Sequence, residues 1–226
     1  MNNAEKPQLT IPRVIGSLSF FNADNLEIMR GFKDNEFDLA IVDPPYGLER
    51  FKANDGGNSK KITTFGDKDK NWNNIKPDAE YWDQLFRVSK NQIVWGGNNF
   101  ELPTSEYFIV WDKGQMMPSF ARCEMAWTNC KVPAKMYAKR SQDLERIHPT
   151  QKPTDLYSWL LINYAKEGFK ILDTHLGSGS IAIAVEKANR LDKMNLQFVG
   201  IEIDKEYYEK ALNRIEQYCR QGTLSF

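Results

Sequence analysis

Three short runs, LAIV at 39–42, IVW at 93–95 and FKIL at 169–172, are apolar almost without interruption. A strand with one face in water alternates apolar and polar residues, whereas a strand covered on both faces does not need to. These runs are too short for buried helices and rich in β-branched residues, so they read as interior strands. Four further segments have strand composition, at 18–22, 107–111, 122–128 and 197–203, and the apolar runs extend to 37–43, 91–96 and 169–173. Helical spacing fills the gaps at 24–32, 78–89, 154–165, 179–191 and 204–220. Strands alternating with helices predict an α/β fold: a mostly parallel seven-stranded sheet with helices on both faces. Segments 107–111 and 122–128 have no helix-length connector and predict an antiparallel hairpin at one sheet edge.

The length of 226 residues suits a single domain. Residues 51–76 are rich in glycine, lysine and asparagine without periodicity and are expected to form a long mobile loop. Residues 1–13 are polar, without the apolar stretch of a signal peptide, and read as a loose arm. No apolar run reaches membrane-spanning length. Cys123, Cys130 and Cys219 form no CxxC pair, and His148 and His175 have no partner at metal-ligand spacing. No metal site is therefore expected, and a reduced, cytoplasmic setting fits. The formal net charge is zero. Two segments nevertheless carry a local excess of +4, at 50–76 and 129–152, while 1–49 carries −4. Basic segments on a neutral body suit local phosphate contacts or simple solvation.

Residues 169–180, FKILDTHLGSGS, run from an apolar strand through Asp173 into Gly177-Ser178-Gly179 and then a helix. Glycines there let the backbone approach a ligand, and the helix N-terminus favours negative charge. The next strand ends at Glu202, 23 residues beyond Gly179. An acid at about 20 residues past a glycine turn is placed to bind ribose hydroxyls. The pair points to a nucleoside-containing cofactor. The full GxGxxG pattern is absent, because Ala182 stands where the third glycine would be.

Residues 37–47, FDLAIVDPPYG, end a buried strand at Asp43 with two prolines that stop both ladder and helix. Ligands of parallel sheets sit beyond the carboxyl ends of the strands. Asp43, Pro44, Pro45 and Tyr46 are thus placed at that edge on a rigid turn. The Asp43 carboxylate and Pro44 carbonyl are two acceptors beside an aromatic ring. That set suits an exocyclic amine, whose two hydrogens it holds and whose developing positive charge it stabilises. The Tyr46 ring suits stacking on a base removed from its duplex.

At this point the sequence resembles the amino-methyltransferases of DNA, in their β group. The resemblance rests on DPPY at 43–46, HPTQKP at 148–153, DTHLGSGS at 173–180 and VGIEID at 199–204, supported by NADNLEI at 22–28, NQIVWGGNNF at 91–100 and WDK at 111–113. It covers most of residues 18–215. It implies a circularly permuted S-adenosylmethionine-dependent methyltransferase fold, with the strand ending at Asp173 central and beside the strand ending at Asp43. It also implies S-adenosylmethionine as cofactor and DNA as partner, with a homodimer as one assembly seen in the family. Asp43, Pro44, Pro45 and Tyr46 take the catalytic positions. Asp24, Thr150, Lys152, Asp173, His175, Gly177, Ser178, Gly179 and Glu202 take cofactor positions. Lys152 would touch the methionine carboxylate or a DNA phosphate, or stand as a surface lysine; Trp95, Gly96 and Gly97 would shape the base pocket or form a buried strand end before a turn, and Trp111 would line that pocket or sit in the core. Asp204 is expected to cap a helix, and Tyr207, Tyr208, Ala211 and Ile215 to be core. A DPPY turn leans to adenine N6. Cytosine N4 or an RNA base are alternatives within the class, and a non-catalytic DNA-binding subunit lies outside it. An NAD-dependent oxidoreductase would explain the glycine turn and Glu202 but not the DPPY turn. Residues 129–147 are expected to form a small target-recognition insertion, whose Lys131, Lys135, Lys139, Arg140 and Arg146 favour phosphates over base edges and hence relaxed sequence specificity.

Overall fold

A computed structural model describes residues 11–47, 76–114, 121–139, 147–148 and 150–223. Within them nine strands form one sheet: β1 (Arg13–Ile15), β2 (Leu18–Asn22), β3 (Leu39–Val42), β4 (Gln92–Trp95), β5 (Phe108–Asp112), β6 (Cys123–Thr128), β7 (Lys135–Ala138), β8 (Lys170–Asp173) and β9 (Gln197–Glu202). The five helices are α1 (Asn25–Arg30), α2 (Ala79–Val88), α3 (Thr154–Tyr164), α4 (Ser180–Asp192) and α5 (Lys205–Thr223). The spatial strand order is β1-β2-β9-β8-β3-β4-β6-β5-β7. Strands β2, β9, β8, β3 and β4 are mutually parallel, so all five end on one edge.

The apolar runs are buried as their composition requires. Along β3, Leu39 and Ile41 join one core with residues of α3, α4 and α5, while Ala40 and Val42 join a second core with residues of α1 and α2. The sheet is thus sandwiched between two helical layers. Helix α4, which follows β8, and α2, which follows β3, lie on opposite faces, so β8 and β3 flank the switch point where α/β sheets open a crevice. Acidic caps fix where helices begin at this edge. Asp24 accepts from the Glu27 N–H at 3.1 Å, Asp78 from Tyr81 at 2.9 Å, and Asp204 from Glu206 and Tyr207 at 2.9 and 3.1 Å.

The sheet has nine strands where seven were expected. The expected loose arm ends in β1, which pairs antiparallel with β2 across a two-residue turn with Gly16 at φ +58°. Strand β7 extends the hairpin edge, parallel to β5, so β5 is no longer outermost and residues 135–138 of the expected insertion are sheet. Both added strands are short and largely exposed, so pairing rather than burial defines them. Residues 51–75 of the expected loop lie outside the described residues, as do 140–146 of the expected insertion, including Arg140 and Arg146.

Candidate active site

The carboxyl edge of the sheet opens into a cavity of about 480 Å³. The tips of β9, β8 and β3 contribute to it through different local devices.

At the tip of β9, Glu202 is gripped by backbone amides. Its Oε2 accepts from Gly177 N–H at 2.9 Å and its Oε1 from Asp204 N–H at 3.0 Å. Each oxygen retains a lone pair, so the fixed carboxylate can accept two more hydrogens from a ligand. Burial raises the Glu202 pKa above the usual carboxylate value, against the two amides. Gly177 adopts φ +51°, and a side chain there would meet only ordinary contact with His148 at 3.8 Å. The left-handed backbone, more than crowding, therefore calls for glycine. Ser178 is buried on the cavity wall, with its carbonyl accepting from Arg214 Nη1 at 2.9 Å.

At the tip of β8, His175 is held through both ring nitrogens. Asn25 Nδ2 lies 3.2 Å from Nε2, and Thr174 Oγ1 lies 2.9 Å from Nδ1. An amide donor at Nε2 places the proton on Nδ1. Burial depresses the His175 pKa to about 3, so the ring is neutral. Thr174 Oγ1 is also 2.7 Å from the Tyr81 hydroxyl, which extends the chain of hydrogen bonds into α2.

At the tip of β3, Asp43 Oδ1 accepts from the Tyr46 hydroxyl at 2.7 Å. Its Oδ2 pairs with the Lys152 ammonium. The Tyr46 ring lies directly over Gly96 and edge-on to Phe100 at 6.1 Å. Lys152 is only 4% exposed, which rules out a surface lysine. It also sits 3.2 Å from Glu124 Oε2 and over the Trp95 ring at 5.2 Å. Burial pulls its pKa down, but Asp43 and Glu124 more than offset this, and the net shift is upward. Its partners within the protein are thus two carboxylates, Asp43 and Glu124.

Of the residues singled out from the sequence, Asp24, Asp43, Pro45, Thr150, Lys152, His175, Gly177, Ser178 and Glu202 line the one cavity. Pro44, Tyr46, Asp173 and Gly179 stand behind it. Gly179 takes φ +69° at the start of α4, and a Cβ there would lie 2.8 Å from Ile215 Cδ1, so its role is close helix packing. Asp173 is buried and accepts from the His175 N–H at 2.9 Å, which makes it a brace for the turn. Of the residues expected to shape the base pocket, Gly96 carries the Tyr46 ring, and Gly97 lies against Trp127, where a Cβ would fall 2.4 Å from Trp127 Cβ. Trp111 is core, donating from Nε1 to Lys139 O at 3.0 Å. Tyr208, Ala211 and Ile215 are core, whereas Tyr207 is buried yet lines the cavity, stacked edge-on against His148 at 4.4 Å.

Asn25, Tyr81, Thr174 and Glu124 were not anticipated. Glu124 had a signal in the sequence: it shares strand parity with Ala126, so a carboxylate stands at an inward-facing position. Among the described residues, no three His, Cys, Asp or Glu side chains form a cluster able to hold a metal, and no helix is long and apolar enough to cross a membrane.

Comparison with known proteins agrees with this geometry. Residues 110–213 match the family of N6/N4 DNA methylases. The type II methyltransferase M2.LlaDCHI of Lactococcus lactis subsp. cremoris is 24% identical over 254 aligned positions, covering 89% of this chain and 90% of that protein. The crystal structure of M1.HpyAVI in complex with SAM superposes with a TM-score of 0.57 at 21% identity, over 88% of this chain and 98% of that one. The PvuII DNA methyltransferase, cytosine-N4-specific, gives 0.55 at 12% identity, over 90% of each chain. The two structures share the fold. With the DPPY turn and the glycine turn at adjacent strand tips of that fold, the chain is similar in sequence and fold to the N6-adenine/N4-cytosine DNA methylases.

Proposed function

We propose that the chain is a DNA methyltransferase that transfers the methyl group of S-adenosylmethionine to the N6 amino group of an adenine turned out of the duplex. The observation that carries this reading is that Asp43, on the β3 turn, and Gly177 and Glu202, on neighbouring tips, line a single cavity. The donor set fits the cofactor. Glu202 offers two amide-fixed acceptors for ribose hydroxyls, the Gly177 backbone allows close approach, and Asp24 and Asp43 suit a cationic ligand. When bound, S-adenosylmethionine supplies an electrophilic methyl group on a sulfonium.

The residues of the chain then do the following. Asp43 and the Pro44 carbonyl accept the two amino hydrogens, which localises the nitrogen lone pair and aims it into the cavity. Asp43 stabilises the positive charge that nitrogen acquires as the N–C bond forms and the S–C bond breaks. The nitrogen then releases one proton to water, leaving the methylated amine and the departing thioether neutral. Tyr46 anchors Asp43 through its hydroxyl and keeps a partly exposed ring beside the base position. The hydroxyl donates from the neutral form, since burial first and Asp43 second raise its pKa well above the usual tyrosine value.

A carboxylate at position 43 favours adenine N6 over cytosine N4. The same reading puts DNA as partner, the reduced cytoplasm as setting and relaxed sequence specificity as the outcome of a slim recognition region. Mass spectrometry of nucleosides from DNA and RNA incubated with the chain and S-adenosylmethionine tests it. N6-methyldeoxyadenosine is expected. N4-methyldeoxycytidine would reassign the target, and modification of RNA alone would reassign the substrate.

A further inference from the structure

Behind the Asp43 turn runs a file of alternating charges drawn from four separate segments. Lys152 precedes α3, Asp43 follows β3, Glu124 lies on β6, and Lys113 follows β5. The Lys152 ammonium touches both Asp43 and Glu124, and the second oxygen of Glu124 pairs with Lys113. We propose that Glu124 is a positioning residue for methyl transfer: by sharing Lys152 it sets the aim of the Asp43 carboxylate and how much of its negative charge reaches the base, without itself touching the base. The proposal rests on the methyltransferase reading above.

A buried ammonium needs one carboxylate to remain charged. Lys152 has two. Were it bound to Asp43 alone, the pair would be neutral, and Asp43 would be a poor acceptor for an amine turning positive. Sharing the ammonium with Glu124 weakens its hold on Asp43 and leaves more of that carboxylate's negative charge to act at the reacting end. That charge opposes the one developing on the nitrogen, in a site shielded from water. Lys113 lies at the outer, partly exposed end of the file and balances Glu124 from the far side.

The geometry of Glu124 supports a role in charge. Its Oε2 lies 3.2 Å from Lys152 Nζ, yet it has no hydrogen-bond partner among the described residues. The contact is ionic without being directed. Burial pushes the Glu124 pKa up, but Lys152 and Lys113 prevail and hold it low, so it stays ionised. Tyr46, Tyr157 and Asp173 are further titratable groups close to this centre.

The test uses the purified full chain with duplex DNA and radiolabelled S-adenosylmethionine, in wild type, Glu124→Gln, Glu124→Asp, Lys152→Met and the Glu124→Gln/Lys152→Met double variant. Glu124→Gln is expected to lower kcat by about 10–100-fold, the size of effect seen for groups acting at one remove. The cofactor Kd and the Tm should hold. Glu124→Asp should recover part of the loss. Lys152→Met should lower kcat at least as far as Glu124→Gln does. The double variant should be no slower than Lys152→Met alone, since Glu124 acts only through that lysine. An active wild type with an unchanged kcat in Glu124→Gln would overturn the proposal alone. So would a loss matched by an equal rise in cofactor Kd or by a fall in Tm, with no recovery in Glu124→Asp. A folded wild type that transfers no methyl group would overturn the methyltransferase reading and this proposal together.

Discussion

Gly96→Ala perturbs the reacting end of the site without touching the cavity. Gly96 has φ +65°, in the left-handed region, where a side chain costs about 1–2 kcal/mol. An added Cβ would also fall 2.3 Å from Tyr46 Cε1 and 2.5 Å from Cζ. Carbon atoms pack at about 3.5–4.0 Å, so the ring has to retreat by roughly 1.2 Å or more. The Tyr46–Asp43 hydrogen bond is 2.7 Å long and does not survive that movement. Hydrogen bonds to charged groups contribute about 1.5–3 kcal/mol, and partial exposure reduces this one to about 1 kcal/mol. The stability loss in urea denaturation should therefore be about 2–3 kcal/mol. Turnover should suffer more, because misplacing a reacting group by about 1 Å costs on the order of 10²-fold. Neither Gly96 nor Tyr46 lines the cavity, so cofactor Kd by calorimetry should stay within about twofold. An alanine variant with wild-type kcat and an unshifted urea midpoint would refute the reasoning, since it would mean that the Tyr46 ring is not what orients Asp43.

Glu202→Gln should weaken cofactor binding by about 10–100-fold, the value of charge-assisted hydrogen bonds, as read by calorimetry; an unchanged Kd would remove Glu202 from the site. Gly179→Ala should destabilise the fold by about 2 kcal/mol or more, through its φ of +69° and the 2.8 Å approach to Ile215. A wild-type denaturation midpoint would contradict that packing role. Burial pushes the Asp173 pKa up to about 8, against the His175 amide and with Asp43 and Glu202 adding to the rise. The native state therefore keeps a proton that the unfolded chain releases above about pH 4. This contribution is largest at low pH and is lost as pH rises from about 4 to 8. Urea titrations should show Asp173→Asn with a flatter stability profile across that window, and an unaltered profile would show that Asp173 does not titrate there.

The sheet's interior was legible because burial on both faces leaves a plain mark in composition. LAIV alternates between two cores, Leu39 and Ile41 into one and Ala40 and Val42 into the other, so no position tolerates a polar residue. The adjacency of β3 and β8 followed from the resemblance, and the capping role of Asp204 from its place before an amphipathic helix. Strands β1 and β7 left no such mark. Met136 is 66% exposed and Val14 61%, so their strand state depends on a partner's unpaired ladder, which local sequence does not encode. The same limit applies to the site. A glycine turn announces backbone approach but not which glycine meets the ligand. Gly177 faces the cavity while Gly179 faces Ile215. Lys152 was recognisable as a site residue, but its partners are 109 positions away at Asp43 and on an antiparallel strand at Glu124. No spacing rule connects those segments, because the sheet's lateral order brings them together.

The two halves of the site are held by different physics, and they should fail differently. The cofactor half is built from directed hydrogen bonds: Glu202 is fixed by two amides, His175 by Asn25 and Thr174, and Ser178 by Arg214. Such bonds are short-ranged and directional, so a lesion there should appear as lost affinity with little effect on the bound enzyme's rate. The reacting half depends on Asp43, which is held by a tyrosine hydroxyl on one oxygen and a shared ammonium on the other. Its negative charge acts only as the amine becomes positive, so a lesion there should appear in kcat and leave affinity intact. The antiparallel strands β5 and β6 therefore do more than close one edge of the sheet. By delivering Glu124 and Lys113 behind the turn, they bear on the carboxylate to which the proposed mechanism assigns the chemistry.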